Sequence, residues 1–509
     1  MINRTYVKWA VVGTLFALCL YLTLALYAQQ QFAFAILFLV VTSAALYVFS
    51  SPGSYAHRYI FPSVAGMVVF VVFPLVYTVG IGFTNYSAAH LLTFDRVKQY
   101  FLAQTFQQPG SRYNFTAWEA PGGWVLELVS AEGIAYRTEP VVLDQEKAGE
   151  RPAGVRVVRA MTVDEPSLKP GRPLKLKDVI ARKKALAQVE VHLPDDKALR
   201  MAGLRHFAAL QPLYTELEGE RLRNNETGEI LVPNHEEGFY QKANGEYVTP
   251  GWTVTIGWAN YARVLTDPSI REPFTQIFLW TVSFAFLSVV FTLALGLVLA
   301  NILQWDQMTG KAFYRMMLIL PYAVPAFISI LVFKGLFNQN FGEINLILEK
   351  LFGIRPDWFS DPALARTMIL IVNTWLGFPY MMLLCMGLLQ SIPRDLYEAS
   401  AIDGATPLDN LWRITLPLII RPLMPLLIAS FAFNFNNFVL IALLTGGAPD
   451  IIGASTPAGT TDLLVSYTYR IAFQDSGQNF GLAAAIATVI FLIVGGLSWL
   501  NLKLTKVKV

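Results

Sequence analysis

The residues best suited to chemistry lie inside apolar stretches. Asn373, Leu376, Gly377 and Tyr380 recur at i, i+3, i+4 and i+7, and Ser430, Phe433, Asn434 and Asn437 repeat that spacing. On a helix of 3.6 residues per turn, each set shares one face. An amide in hydrocarbon is costly unless paired, so both faces must point into protein or into a water-filled cavity. Two readings fit. Small and polar side chains commonly hold membrane helices together, and residue types alone lean that way. The other reading is a carbohydrate site, where amides and hydroxyls exchange hydrogen bonds with the sugar and an aromatic ring covers its apolar C–H face. Each set has a ring for that purpose, Tyr380 in one and Phe433 in the other.

A second constellation lies between these two stretches, over residues 391–417. Pro393 opens a short helix with Asp395 early, where the helix dipole favours an anion. Gly404 suits a left-handed cap at its end. Thr406, Pro407 and Asp409 have the spacing of a capping box for a second helix, which Pro417 is expected to limit. Capping alone leaves two uses level: an amphipathic hairpin that merely connects two spans, or a docking element.

Other chemistries lack their residues. The nearest approach to a phosphate-binding loop is Gly310-Lys311, but the upstream Gly is missing and Ala312 replaces the hydroxyl. The five histidines are scattered, with no HExxH pair and no neighbouring cysteine, and no catalytic residue, metal site or cofactor site is assigned. Cys19 and Cys385 both fall in apolar runs, so neither staples an exported domain. A net charge of +3 gives no case for nucleic acid.

The elements that position these residues are membrane helices. Of 509 residues, 54% are hydrophobic and only 15% charged, well below the charge of soluble domains. Apolar runs long enough to cross a bilayer predict eight spans: 7–28, 32–50, 59–83, 274–304, 313–337, 366–390, 418–444 and 481–502. The first is too long for a secretory h-region and has Leu26 at −3 of the best cleavage point, so it reads as a retained span. Arg4, Lys8, Arg58, Lys311, Arg315, Arg394, Arg413, Arg421, Lys503, Lys506 and Lys508 flank the spans on one side. The positive-inside rule makes that side cytoplasmic, with both termini on it. Pro321 and Pro325 predict kinks in span five, Pro379 a loosened helix in span six, and Lys334 a side chain that snorkels.

That topology places residues 84–273 outside the membrane. Trp124-Val-Leu-Glu-Leu-Val129, Gly154-Val-Arg-Val-Val158 and Val189-Glu-Val-His-Leu193 alternate with period two and predict strands, with a helical stretch near Leu174–Gln188. A segment of about 190 residues is too long to be a structureless loop.

Glu398-Ala399-Ser400, Gly404 six residues after Glu398, and Ile414-Thr415-Leu416-Pro417 together resemble the EAA signature of ABC importer membrane subunits, with Ser400 for the usual Ala. Pro321-Tyr-Ala-Val-Pro325, Asn373-Thr-Trp-Leu-Gly377, Asn434-Phe-Asn-Asn437 and the eight-span layout extend the resemblance over essentially the whole chain. It is weakest over 95–235, and it points to the maltose/maltodextrin branch of that family. The resemblance implies an all-α polytopic MetI-like permease core in 274–509. It also implies N-terminal spans in 1–83, a β-rich periplasmic domain in 84–273, and a protein anchored in the inner membrane. It makes the 391–417 loop a coupling element for an ATPase, with Glu398 at its rim and Leu396, Ile402, Leu411, Trp412 and Ile414 filling a cleft. It assigns Asn373, Leu376, Gly377, Tyr380, Ser430, Phe433, Asn434 and Asn437 to the maltose or maltodextrin site. Its implied partners are a second permease subunit, two ATP-binding subunits and a periplasmic maltose-binding protein. An ion-coupled secondary transporter is the alternative, and spans six and seven lack the Asp or Glu that it would need.

Overall fold

A computed structural model describes residues 4–143, 156–163, 173–305 and 307–504. Gly154 and Val155, expected from sequence to start a strand, and the basic residues Lys506 and Lys508 lie outside these. The chain forms two compact units, one from Met1–Ala89 with Val254–Val509 and one from His90–Thr253.

In the first unit six helices are long and apolar enough to cross a membrane: Trp9–Ala28, Phe32–Ser50, His57–Gly82, Pro268–Gln304, Pro362–Leu389 and Pro407–Phe435. A bent pair, Lys311–Ala323 and Ala326–Leu336, makes a seventh candidate, and Phe480–Gly496 is apolar but shorter among the described residues. Against the eight spans expected from sequence, these six, the bent pair and Phe480–Gly496 are the candidates among the described residues. Span five is broken by 91° instead of kinked. Val324, forced out of the helical region by the proline that follows, sits at ψ 132, and Pro325 then caps the next helix. Pro321 lies inside the first piece without breaking it.

Span seven also departs from expectation. The helix ends at Phe435, Asn436 and Asn437 leave helical geometry, and a new helix runs over Phe438–Leu444. Asn437 caps that helix by accepting from the Leu440 N–H at 3.4 Å. Pro417 does not limit the loop's second helix. Pro407–Asn410 continues through a π turn, Leu411–Thr415, into Leu416–Phe435. The wider turn just ahead of Pro417 leaves that proline at the start of a new α segment, where its missing N–H is harmless. Pro379 likewise leaves Pro362–Leu389 continuous.

The helices Pro268–Gln304 and Pro362–Leu389 start on acidic caps. Asp267 accepts from the Ser269 N–H at 3.1 Å, and Asp361 accepts from the Leu364 N–H at 2.8 Å, each with Pro in the first turn. They then pack closely. A Cβ on Gly296 would stand 2.7 Å from the Met382 nitrogen, so only glycine permits this approach. The 445–463 loop is held by a buried ionic cluster. Asp462, fully buried, accepts from Gly459 N at 2.7 Å, Ser466 Oγ at 2.8 Å and Arg470 Nη1 at 2.8 Å, while Arg470 Nη2 reaches Asp450 at 2.7 Å.

The second unit is β-rich, as its alternating sequence predicts. Strands β1 (Thr105–Ala120), β2 (Gly123–Ser130), β3 (Ala135–Thr138), β4 (Arg156–Val163), β5 (Val189–His192), β6 (Ala198–Gly203) and β7 (His206–Pro212) close into a barrel in which β7 pairs with β1. Two short helices, Leu176–Ala181 and Lys183–Ala187, stand in the predicted helical stretch and allow β4 and β5 to pair in parallel. Leu126, Leu128, Val189, Val191 and Phe207 fill the interior. A five-stranded sheet follows over residues 214–248.

Candidate functional site

The amides of the two stripes meet. Asn373 Nδ2 donates to Asn434 Oδ1 at 2.8 Å, and Asn437 Nδ2 donates to Asn373 Oδ1 at 3.2 Å. Asn434 Nδ2 completes the chain by donating to the Ser430 carbonyl at 2.8 Å. Asn373 and Asn434 are both buried. Each amide therefore has partners for its oxygen and its nitrogen, which removes the cost of placing it in the membrane unit. The helical spacing that put Asn437 on the Asn434 face does not persist, because the helix has already ended. It is the break at Asn436 that turns Asn437 towards Asn373.

The rest of the two stripes is arranged differently. Gly377 faces Thr292 on the Pro268–Gln304 helix, where an added Cβ would lie 2.8 Å from Thr292 Cγ2. Leu376 and Ser430 are half-buried. Tyr380 is 38% exposed and Phe433 72% exposed, unlike the buried Asn373 and Asn434. The structure thus unites Asn373, Asn434 and Asn437 and leaves the aromatic members exposed. Thr292 and its neighbour Ser288 belong to the same neighbourhood. Their i, i+4 spacing in an apolar helix was the available signal.

The loop carries the predicted punctuation. One helix spans Arg394–Ile402, and Gly404 follows at φ +80. The Ala405 N–H returns to the Ser400 carbonyl at 2.9 Å. Thr406 and Asp409 form the capping box, with Asp409 N to Thr406 Oγ1 at 3.2 Å and Thr406 N to Asp409 Oδ2 at 3.1 Å. A contact that spacing did not reveal ties the two helices together: Tyr397 OH and Thr415 Oγ1 lie 2.9 Å apart, with Thr415 buried. Glu398 and Ala399 are exposed, as are Leu396, Ile402, Leu408 and Trp412. Leu411, Ile414 and Leu416 are half-buried, and Leu411 and Leu416 pack on the chain's own core, so the apolar surface on offer is smaller than expected. Pro417 is exposed at the end of the loop.

Comparison with known families places the chain as a whole. Residues 273–502 match the family described as binding-protein-dependent transport system inner membrane component, 92–257 the maltose transport system permease protein MalF P2 domain, and 6–52 the MalF N-terminal transmembrane helices. The chain is 54% identical over 512 residues to the maltose/maltodextrin transport system permease protein MalF of Vibrio cholerae, covering 99% of this chain and 95% of that one. It is 53% identical to the proteins of the same name from Yersinia pestis and Klebsiella aerogenes, covering 98% of this chain and 94% and 96% of theirs.

The chain belongs to the MalF family.

A bacterial alginate-importing ABC transporter structure aligns over 49% of this MalF-family chain and 84% of its own, at 22% identity and a TM-score of 0.41. By the family matches, residues 273–502 are a binding-protein-dependent transport system inner membrane component accompanied by a β-rich domain, and the chain is a non-catalytic membrane subunit of an ABC importer. In it, Asn373, Asn434 and the exposed loop share two helices, since Pro362–Leu389 leads into the loop and Pro407–Phe435 leaves it, while Asn437 lies just past the second.

Proposed function

We propose that this chain is the permease subunit through which an ATP-driven importer carries maltose and maltodextrins across the inner membrane. The observation that carries the reading is continuity: an exposed helix–glycine–helix loop joins the two helices that hold the buried, bonded amides Asn373 and Asn434. Motion imposed on the loop by a separate ATPase pulls directly on Asn373 and Asn434.

In this reading both termini are cytoplasmic and residues 84–273 form a periplasmic domain between the N-terminal spans in 1–83 and the core in 274–509. Eight spans result when the bent pair counts as one and Phe480–Leu504 as another. Leu376, Gly377, Tyr380, Ser430, Phe433 and the three asparagines line the sugar path. Glu398, Ala399, Ser400, Gly404, Ile414, Leu416 and Pro417 form the ATPase dock. The exposed Leu396, Ile402 and Trp412 enter an apolar cleft, and the Glu398 carboxylate pairs with a cation at its rim. The partners are a MalG-like permease subunit, two MalK-like ATP-binding subunits and a MalE-like maltose-binding protein. Closure of the ATPase pair moves the loop, the two helices shift, and the internal site opens outward to the loaded receptor. Hydrolysis resets it inward.

Co-purification of the chain with these partners, followed by uptake assays in vesicles with maltose, trehalose and longer dextrins, tests the reading. ATP-dependent uptake of maltose and dextrins supports it. Uptake without an ATPase, driven by an ion gradient, contradicts it.

A further inference from the structure

The helices Pro268–Gln304 and Pro362–Leu389 run side by side in constant register. Thr292 lies against Gly377, an offset of 85 residues, and Gly296 against the Met381–Met382 peptide, an offset of 85 to 86. That offset puts Ser288 at the level of Asn373. Contacts with the next helix agree, because Ala285, one turn before Ser288, shares an apolar cluster with Phe435, the neighbour of Asn434.

Ser288 is fully buried, and its Oγ has no hydrogen-bond partner. The other buried hydroxyls of this helix behave otherwise. Thr281 Oγ1 donates to the Ile277 carbonyl at 2.7 Å, and Thr292 Oγ1 donates to the Ser288 carbonyl at 2.6 Å. A hydroxyl buried without a partner is disfavoured, and its persistence calls for a reason.

We infer that Ser288 is a positioning residue that receives the Asn373 amide when sugar opens the triad. The inference rests on the triad's being part of the sugar path. With the triad closed, Asn434 Oδ1 is already occupied by Asn373, and Asn373 Oδ1 by Asn437. A sugar hydroxyl that donates to Asn434 Oδ1 displaces the Asn373 N–H. Ser288 Oγ, a buried acceptor at the same level with no donor of its own, then takes that N–H. One amide–amide bond is exchanged for an amide–sugar bond and an amide–hydroxyl bond. The site opens without stranding a buried amide, and the hydroxyl that was idle becomes satisfied. Ser288 thereby holds the open arrangement, while Asn434 holds the closed one.

The test uses the assembled importer with its receptor, in vesicles containing ATP, and compares Ser288→Ala and Ser288→Cys with the parent chain. Loss of the hydroxyl lowers the maximal maltose uptake rate by about fivefold, the equivalent of one ordinary hydrogen bond. The same change leaves receptor affinity for maltose unaltered and raises the melting midpoint of the resting complex, because an idle buried hydroxyl has gone. Ser288→Cys, close in size and a poor acceptor, follows Ser288→Ala in uptake. Unchanged uptake in both variants overturns the inference, and so does a lowered melting midpoint, which means the hydroxyl is bonded at rest. Asn434→Leu serves as the separating control. Full uptake in that variant removes the sugar path itself, whereas loss of uptake there beside normal uptake in Ser288→Ala removes only the role of Ser288.

Discussion

Asn373 and Asn434, 61 residues apart in sequence, are joined side chain to side chain at 2.8 Å across two helices. The same two helices flank the exposed loop, and in the proposed mechanism this bond is where loop motion reaches the membrane interior. Replacing Asn434 by Leu leaves the Asn373 N–H without its partner, at a cost of about 1–3 kcal/mol. Sugar uptake is expected to fall to background while the complex still assembles. The check is co-purification of all partners alongside an uptake assay. Loss of assembly would instead make the triad a helix fastener.

The contact of Gly377 with Thr292 predicts a rescue. A methyl added by Gly377→Ala lands 2.8 Å from Thr292 Cγ2. Overpacking of this kind costs about 1–3 kcal/mol, and uptake should drop. Thr292→Ser removes that methyl and keeps the hydroxyl, so the double variant should recover most of the lost uptake. A double variant no better than Gly377→Ala alone would show that the two positions do not press on each other in the working importer.

Asp462 and Arg470 predict a stability effect without a direct role in sugar binding. Removing one member of a buried ion pair costs about 3–5 kcal/mol. Asp462→Asn is expected to lower the melting midpoint of the complex. Adding Arg470→Met, which removes the stranded cation, should restore part of it. The measurement is thermal unfolding of the purified complex in detergent, and equal midpoints for Asp462→Asn and the parent would refute the effect.

How much of this could be read from sequence depends on which force decides each feature. Periodicity marked the apolar helices and the strands of the β-rich unit because burial of one face fixes them. Gly404 and the Thr406–Asp409 box were legible because caps are local. Tertiary context governed the rest. Pro325 breaks its span by 91°, whereas Pro379 and Pro422 sit within continuous helices, although all are prolines in apolar runs. The helical spacing of Asn434 and Asn437 pointed to a shared face, yet the two reach Asn373 across a helix break. The Tyr397–Thr415 bond and the register of Ser288 with Asn373 depend on which elements lie side by side, which no spacing within one element reveals.

Gly404 predicts a backbone effect at the loop. Its φ of +80 is a left-handed conformation, and no neighbouring atom would meet an added Cβ. A β-branched residue there costs about 1–2 kcal/mol or more, while Asn adopts this conformation readily. Gly404→Val should therefore weaken coupling of ATP hydrolysis to uptake, and Gly404→Asn should come close to the parent. Equal coupling in both variants would show that the turn's geometry does not matter.

The central claim is that the loop beginning at Glu398 docks a separate ATPase and drives the helices that hold the triad. Its most direct test is Glu398→Lys in the assembled importer, with receptor-stimulated ATP hydrolysis and maltose uptake measured together. The account predicts that both are lost, through detachment or uncoupling, while the soluble receptor still binds maltose. Full uptake with the charge reversed at Glu398 would contradict it.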